Sequence, residues 1–245
     1  MAADLRQRYA GSVLGGLWSF LGPLLEVAAY AFVFGLLVRP RTDHDGLSYA
    51  LFVASGVLPW SALREAVEGS ASLLPANRWV RRSRVPLDLL VARHALVSAS
   101  RAVVGLAVVV AVALVAGRGA SATGVLLAAV ALALQTAAAY GVGLAAAPLG
   151  TLYPDLRPAL ASAFTVLVFA SPIVYPESLL APAVREALEW NPFTHLLRLY
   201  RAALDVAGTP VRGLDVAFSL LTPMVLVPAG ILARDRLRWA ARDRL

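Results

Sequence analysis

Apolar residues in this chain gather into long blocks separated by short segments that carry most of the arginines. A helix crossing ~30 Å of hydrocarbon needs about 20 mainly apolar residues. Blocks at Leu21–Val38, Tyr49–Leu63, Val97–Ala116, Val125–Leu149, Ala159–Tyr175 and Leu214–Ala233 meet or approach that length. The pattern predicts an all-α integral membrane protein with six transmembrane helices in a single domain over residues 1–245. The second and fifth blocks depart furthest from an ideal span.

The segments between the blocks have patterns of their own. Leu5, Tyr9, Val13 and Leu17 recur every fourth residue while Arg6, Arg8, Ser12 and Ser19 fall elsewhere. This predicts an amphipathic interface helix over residues 1–20, lying flat before the first span, with Gly11 and Gly15 as a small-residue pair on it. The same stretch also reads as the frayed start of span one. Residues 64–88 form the one sizeable loop on the side of the N-terminus, with Arg78, Arg81, Arg82 and Arg84 crowded around Trp79. Anionic headgroups would account for those charges, but not for the loop's length, which suits a short helix offered to a partner.

Residues 176–213 lie on the opposite side. Pro172 and Pro176 break the fifth span near its end. Asn191 offers an N-cap with Pro192 at the first helical position. Phe193, Leu196, Leu197, Tyr200 and Leu204 then form one apolar stripe, with Thr194, His195, Arg198, Arg201 and Asp205 on other faces. Such a re-entrant helix would dip into the leaflet or fold over the mouth of a pathway. A surface helix resting on headgroups fits the periodicity equally well.

Composition agrees with the blocks. Apolar residues make up 59% of the chain and charged ones 15%, against about a quarter charged in soluble domains; mean hydropathy is +0.72. The net charge of +7 comes with no lysine at all, a codon signature of a GC-rich genome. Basicity of this size raises nucleic acid as a partner, but the arginines cluster between spans and argue against it. Counting them fixes orientation. With the N-terminus cytoplasmic, Arg6, Arg8, Arg64, Arg78, Arg81, Arg82, Arg84, Arg93, Arg157, Arg234, Arg236, Arg238, Arg242 and Arg244 lie inside, fourteen in all. Seven lie outside, namely Arg39, Arg41, Arg118, Arg185, Arg198, Arg201 and Arg212. Both termini are therefore expected in the cytoplasm. The first apolar block is too long for a signal-peptide core and lacks a small-residue cleavage site, so it is expected to be retained as a span.

Little here carries covalent chemistry. His44, His94 and His195 have no metal-ligand spacing, no nucleophile elbow is present, and without cysteine there is no thiolate site. No catalytic or metal-binding residue is expected. A Walker A motif needs a lysine, so this chain binds no nucleotide that way; ATP and Mg2+, if used, sit on another polypeptide. Glu26 lies within the first block, where a charge costs ~2.5–3.5 kcal/mol on translocon scales. It must face protein or water, or be protonated. Arg101, early in the third block, is expected to snorkel to the headgroups.

Five stretches, in order, resemble the type-2 ABC exporter permeases, and within them the branch that exports polysaccharides such as O-antigens and teichoic acids. They are Arg8–Trp18 with Gly22-Pro23-Leu24, Ser55–Trp60, Arg81–Pro86, Ser171–Pro176, and Asn191–Leu197 continuing to Tyr200-Arg201; Tyr153–Arg157 resembles the short inner loop before span five. Ala10 and Glu26 depart from the family pattern.

The resemblance implies a six-span protomer acting as a homodimer with two copies of a separate ABC ATPase subunit, in a bacterial cytoplasmic membrane. The substrate it implies is a lipid-linked glycan. The N-terminal helix and the Glu68–Arg84 region, with Leu74, Asn77, Arg78, Arg81 and Arg82, would contact the ATPase. Spans one and five would line the pathway, making Tyr30, Phe34, Phe164, Phe169 and Tyr175 candidates to slide along sugar faces. Each of these aromatics also reads as a packing or interfacial residue. Asn191, Pro192, Phe193, Leu197 and Tyr200 would belong to an outer gate. Rival readings are an exporter of a small hydrophobic drug or lipid, a membrane-embedded enzyme, which lacks a catalytic constellation, and a passive structural subunit.

Overall fold

The computed structural model describes residues 18–37, 46–73, 85–115, 121–204 and 210–242. Among the described residues every regular element is helical: α1 (Trp18–Leu37), α2 (Gly46–Ala71), α3 (Leu87–Val115), α4 (Ala122–Leu152), α5 (Leu156–Phe169), a 3-10 turn (Glu177–Leu179), α6 (Pro182–Leu188), α7 (Pro192–Ala203) and α8 (Gly213–Arg242). By length and composition α3, α4 and α8 can cross a membrane, and α5 is a shorter apolar helix.

Several helices outrun the apolar blocks that predict them. α2 continues through Ala71, α3 starts at Leu87 and α8 reaches Arg242. Residues 64–71 and 87–88 are therefore helical rather than loop, and residues 18–20 belong to α1 rather than to an interface helix. Hydropathy marks only the hydrocarbon-length part of a helix, whereas backbone hydrogen bonding carries it on through polar turns. The fifth span is corrected the other way. α5 stops at Phe169, and its 14 residues reach only about 21 Å at 1.5 Å per residue. Turns at Ala170–Tyr175 follow it.

α2 is the central helix, touching α1, α3, α4, α5 and α7, while α4 packs most extensively on α8. The α4–α8 seam needs bare backbone. A Cβ on Gly230 would lie 2.0 Å from the Gly141 carbonyl oxygen, and one on Gly141 would lie 2.5 Å from Leu226 backbone atoms. This close approach is the membrane use of small residues.

Two buried apolar clusters dominate the core. Tyr49, Phe52, Val53, Val57, Trp60, Phe164, Val168, Ile173, Phe193 and Leu197 share the first. Leu106, Leu132, Leu196, Leu199 and Tyr200 share the second with several alanines. α7 contributes to both clusters, so it is wedged into the bundle and does not lie on its surface.

Candidate functional site

α7 begins as its sequence dictates. Asn191 is the N-cap, its Oδ1 accepting from Phe193 N–H at 3.0 Å, and Pro192 occupies the first turn. The same Asn191 donates through Nδ2 to Ser171 Oγ at 2.9 Å, which ties the cap to the turns after α5. Phe193 meets Trp60 edge-to-face at 4.9 Å, and Trp60 meets Phe164 in the same way at 5.4 Å. Leu197 is fully buried and, with Ile173, lies against Gly56. Tyr200 donates to Gln135 Oε1 at 3.2 Å, and Gln135 donates to the Pro59 carbonyl at 2.8 Å, so α7, α4 and α2 share one buried polar chain.

The polar side of α7 corrects the sequence reading. Thr194, His195, Arg198 and Arg201 are all buried, so neither a solvent face nor a headgroup-bound helix describes them. Arg198 is the hub of an ion-pair network. Its Nε and Nη2 reach Glu177 at 3.0 and 2.5 Å, Nη1 and Nη2 reach Glu189 at 3.0 and 2.9 Å, and Nη1 reaches Asp215 at 3.1 Å. Arg212 bonds both Glu189, at 2.8 Å, and Asp215. Asp215 also faces His195 Nδ1 at 2.7 Å. Burial works against the Arg198 charge, but Glu177 and Glu189 more than offset it and hold the guanidinium above its ordinary value. Arg201 is different. It donates to the Pro172 and Ile173 carbonyls and lies 3.8 Å over the Phe52 ring, and burial pulls it down to about 9, which still leaves it cationic at neutral pH.

Glu189, His195 and Asp215 bring their ligand atoms within 4.8 Å of one another, a closeness that the scattered histidine spacing did not signal. Two guanidiniums already hold both carboxylates, so a dication placed there would meet two cations. The cluster is built as an ion-pair network and not as a metal site.

Far along α2 from this network lies an open polar cleft of about 400 Å³, lined by Gly22 and Glu26 of α1, by Ser61, Arg64, Glu65 and Glu68 of α2, and by Arg157 of α5. Glu26 is half-buried and accepts from Ser61 Oγ at 2.9 Å, so its charge faces protein and cleft rather than lipid. Arg64 pairs with Glu68 at 2.8 Å. Arg101 is paired with Glu65 at 2.7 Å and only 13% exposed, which corrects its expected snorkelling to headgroups: a partner one helix away satisfies the charge. Nearby, Arg234 of α8 pairs with Asp88 at the start of α3.

The remaining candidates fall as follows. Tyr30 packs against the first cluster and Phe164 is buried within it. Phe169 is 50% exposed, and Tyr175 donates to its carbonyl at 2.6 Å. The side chain of Phe34 lies outside the described residues, as do Leu74, Asn77, Arg78, Arg81 and Arg82 and the interface helix before Trp18.

Long apolar helices, packed through a glycine seam and carrying few charges outside the α7 network and the cleft, define a helical membrane protein. The chain belongs to the ABC-2 type transporter family, whose pattern it matches over residues 1–204. Over 202 residues, 81% of this chain and 76% of the relative, it is 26% identical to the O-antigen export system permease protein RfbA of Myxococcus xanthus. A protein of the same name from Klebsiella pneumoniae is 23% identical over 237 residues, 96% of this chain and 89% of its own length. The polysialic acid transport protein KpsM of Escherichia coli is 24% identical over 230 residues, covering 93% and 88%. The family resemblance drawn from the sequence motifs is therefore correct.

Proposed function

We propose that this chain is the transmembrane subunit of an ATP-driven exporter that moves a lipid-linked polysaccharide, or a related cell-envelope glycan, across a bacterial cytoplasmic membrane. It works as a homodimer with two copies of a separate ABC ATPase, which carry ATP and Mg2+, and performs no covalent chemistry itself. The six spans are α1, α2, α3, α4, α5 and α8, and both termini face the cytoplasm. The whole chain is one permease domain. The Glu68–Arg84 region docks on the ATPase, and α6 and α7 close the outer mouth.

The observation that carries this reading is the match, along most of the chain, to permeases named for two different surface glycans. The geometry supports it. A cleft lined by carboxylates, guanidiniums and hydroxyls suits a hydrated sugar rather than a hydrophobic drug, and α7 plugs the opposite end of the same helices.

Depletion of the chain is expected to leave lipid-linked glycan accumulating on the cytoplasmic face, and normal surface glycan after depletion would refute the assignment. Topology is checked with single cysteines in this cysteine-free chain. An impermeant thiol reagent should label position 118 but not position 82 in intact cells, and labelling at 82 would invert the map.

A further inference from the structure

Two prolines divide the helices that reach α7. In α2, the half before Pro59 is tied to the outer end. Tyr49 donates to the Val174 carbonyl at 2.5 Å, Phe52 has Arg201 3.8 Å from its ring centre, and a Cβ on Gly56 would lie 3.1 Å from Leu197 and 3.0 Å from Ile173. The half after Pro59 is tied to α4. A Cβ on Gly143 would meet Ser70 at 2.7 Å, and one on Gly150 would meet the Ala71 carbonyl oxygen at 2.0 Å. α8 repeats the division: Asp215, before Pro223, belongs to the Arg198 network, and Leu226, after it, presses on Gly141 of α4. Each proline takes a main-chain donor out of its helix and leaves a compliant point.

α7, the turns at Ala170–Tyr175, the stretch Tyr49–Leu58 and the head of α8 thus make an outer lid. α3 and α4 with the inner parts of α2 and α8 make a frame. Packing contacts cross the boundary, with Phe193 on Trp60, Leu58 on Gly105 and Ala203 on Gly124, and apolar packing is non-directional. Gln135 of α4 is different. It is only 2% exposed, with the buried apolar residues Ala131, Leu132, Ala138 and Ala139 beside it on the helix. Its Nε2 donates to the Pro59 carbonyl at 2.8 Å, and its Oε1 accepts from Tyr200 at 3.2 Å. A buried amide is costly unless both ends are bonded, so this one favours a single placement of Tyr200 relative to the bend of α2.

We propose that Gln135 is a positioning residue for export: through Tyr200 it latches the outer lid to the frame, and the lid parts from the frame at Pro59 and Pro223 when the latch opens. The consequence for export rests on the outer-closure reading above, whereas the latch and its hinge do not.

The test measures amide hydrogen exchange of the full chain in liposomes. Replacing both partners of a buried hydrogen bond by apolar groups of similar shape is close to neutral for overall stability, so Gln135→Leu/Tyr200→Phe should melt as the wild type does. Protection of Leu196–Ala203 and of Tyr49–Leu58 should nevertheless fall about ten-fold, the size of one lost hydrogen bond. Protection of Ser61–Ala71 and of the α4–α8 seam around Gly141 should stay unchanged. Equal loss on both sides of Pro59, or no loss at all, would overturn the latch. Where the double variant fails to fold, Tyr200→Phe alone decides by the same comparison. Thr136→Val removes a hydroxyl bonded to the Leu132 carbonyl of its own helix and should alter neither region; a lid loosened equally by it would overturn the assignment to Gln135. A lid that loosens as expected, in a chain whose depletion leaves surface glycan intact, would count against the export reading and leave the latch standing.

Discussion

The α7 end and the polar cleft hold the same kinds of charged side chain in opposite settings. Around α7, Arg198 and Asp215 are buried and each has several partners in fixed geometry. In the cleft, Arg64, Glu26 and Glu68 are half-exposed and Arg157 is exposed, with Glu26 bonded to Ser61 and Arg64 paired with Glu68. A low-dielectric surround makes every unpaired charge expensive, so the α7 network is committed to holding one arrangement. Water-facing charges are worth little to stability and remain free to bind. One end is locked by paired charges and the other is open to water.

Breaking the hub should do the most damage. Arg198→Ala takes the shared guanidinium from three carboxylates, of which Glu189 and Asp215 keep Arg212, and is expected to cost about 3–5 kcal/mol. It should be visible as loss of the monodisperse, thermally stable protein in detergent. Next comes Leu197→Asn, which removes buried methyl groups against Gly56 and Ile173 and buries an amide. A cost of roughly 2–5 kcal/mol, together with leak of small solutes through cells in which the protein still inserts, is expected; a tight membrane would show that α7 closes nothing. Arg101→Ala removes the cation paired with the partly exposed Glu65 and is expected to cost roughly 1.5–3 kcal/mol, read as a lower melting temperature. Smallest is Glu26→Gln, which keeps the contact to Ser61 and should change stability by no more than about 0.5 kcal/mol. Its effect belongs in export rate, so a Glu26→Gln chain that unfolds readily would erase the contrast between the two ends.

What could be read beforehand follows the range of the forces involved. The start of α7 was legible because an N-cap and its proline act within three residues, and the stripe Phe193, Leu196, Leu197 and Tyr200 was legible because helical periodicity is local. The other side of the same helix was misread. Arg198 has the periodicity of a solvent-facing residue, and its partners Glu177, Glu189 and Asp215 come from three separate segments that no local pattern joins. Glu65 is hidden from Arg101 in the same manner, since each lies on a different helix. Helix existence was plain in the apolar blocks. Helix length was not, because α2 and α8 continue through turns whose composition looks like loop. Gly141 and Gly230 stand among 18 glycines, and nothing beside them in the chain announces that their backbones touch.

That glycine contact sets where α8 can bend. Pro223 and Pro228 both lie inside α8, and each removes a main-chain donor from the helical ladder, so the helix has two compliant points. Leu226 and Val227, which press on Gly141, fall between them. Gly230, the other half of the clamp, lies just beyond Pro228, so the seam to α4 straddles the second proline and splints it. One end carries Asp215 and the α7 network, the other carries Arg234 and its pair with Asp88. The α7 network and the Asp88 pair therefore hang on the two ends of one helix whose middle is fixed to α4.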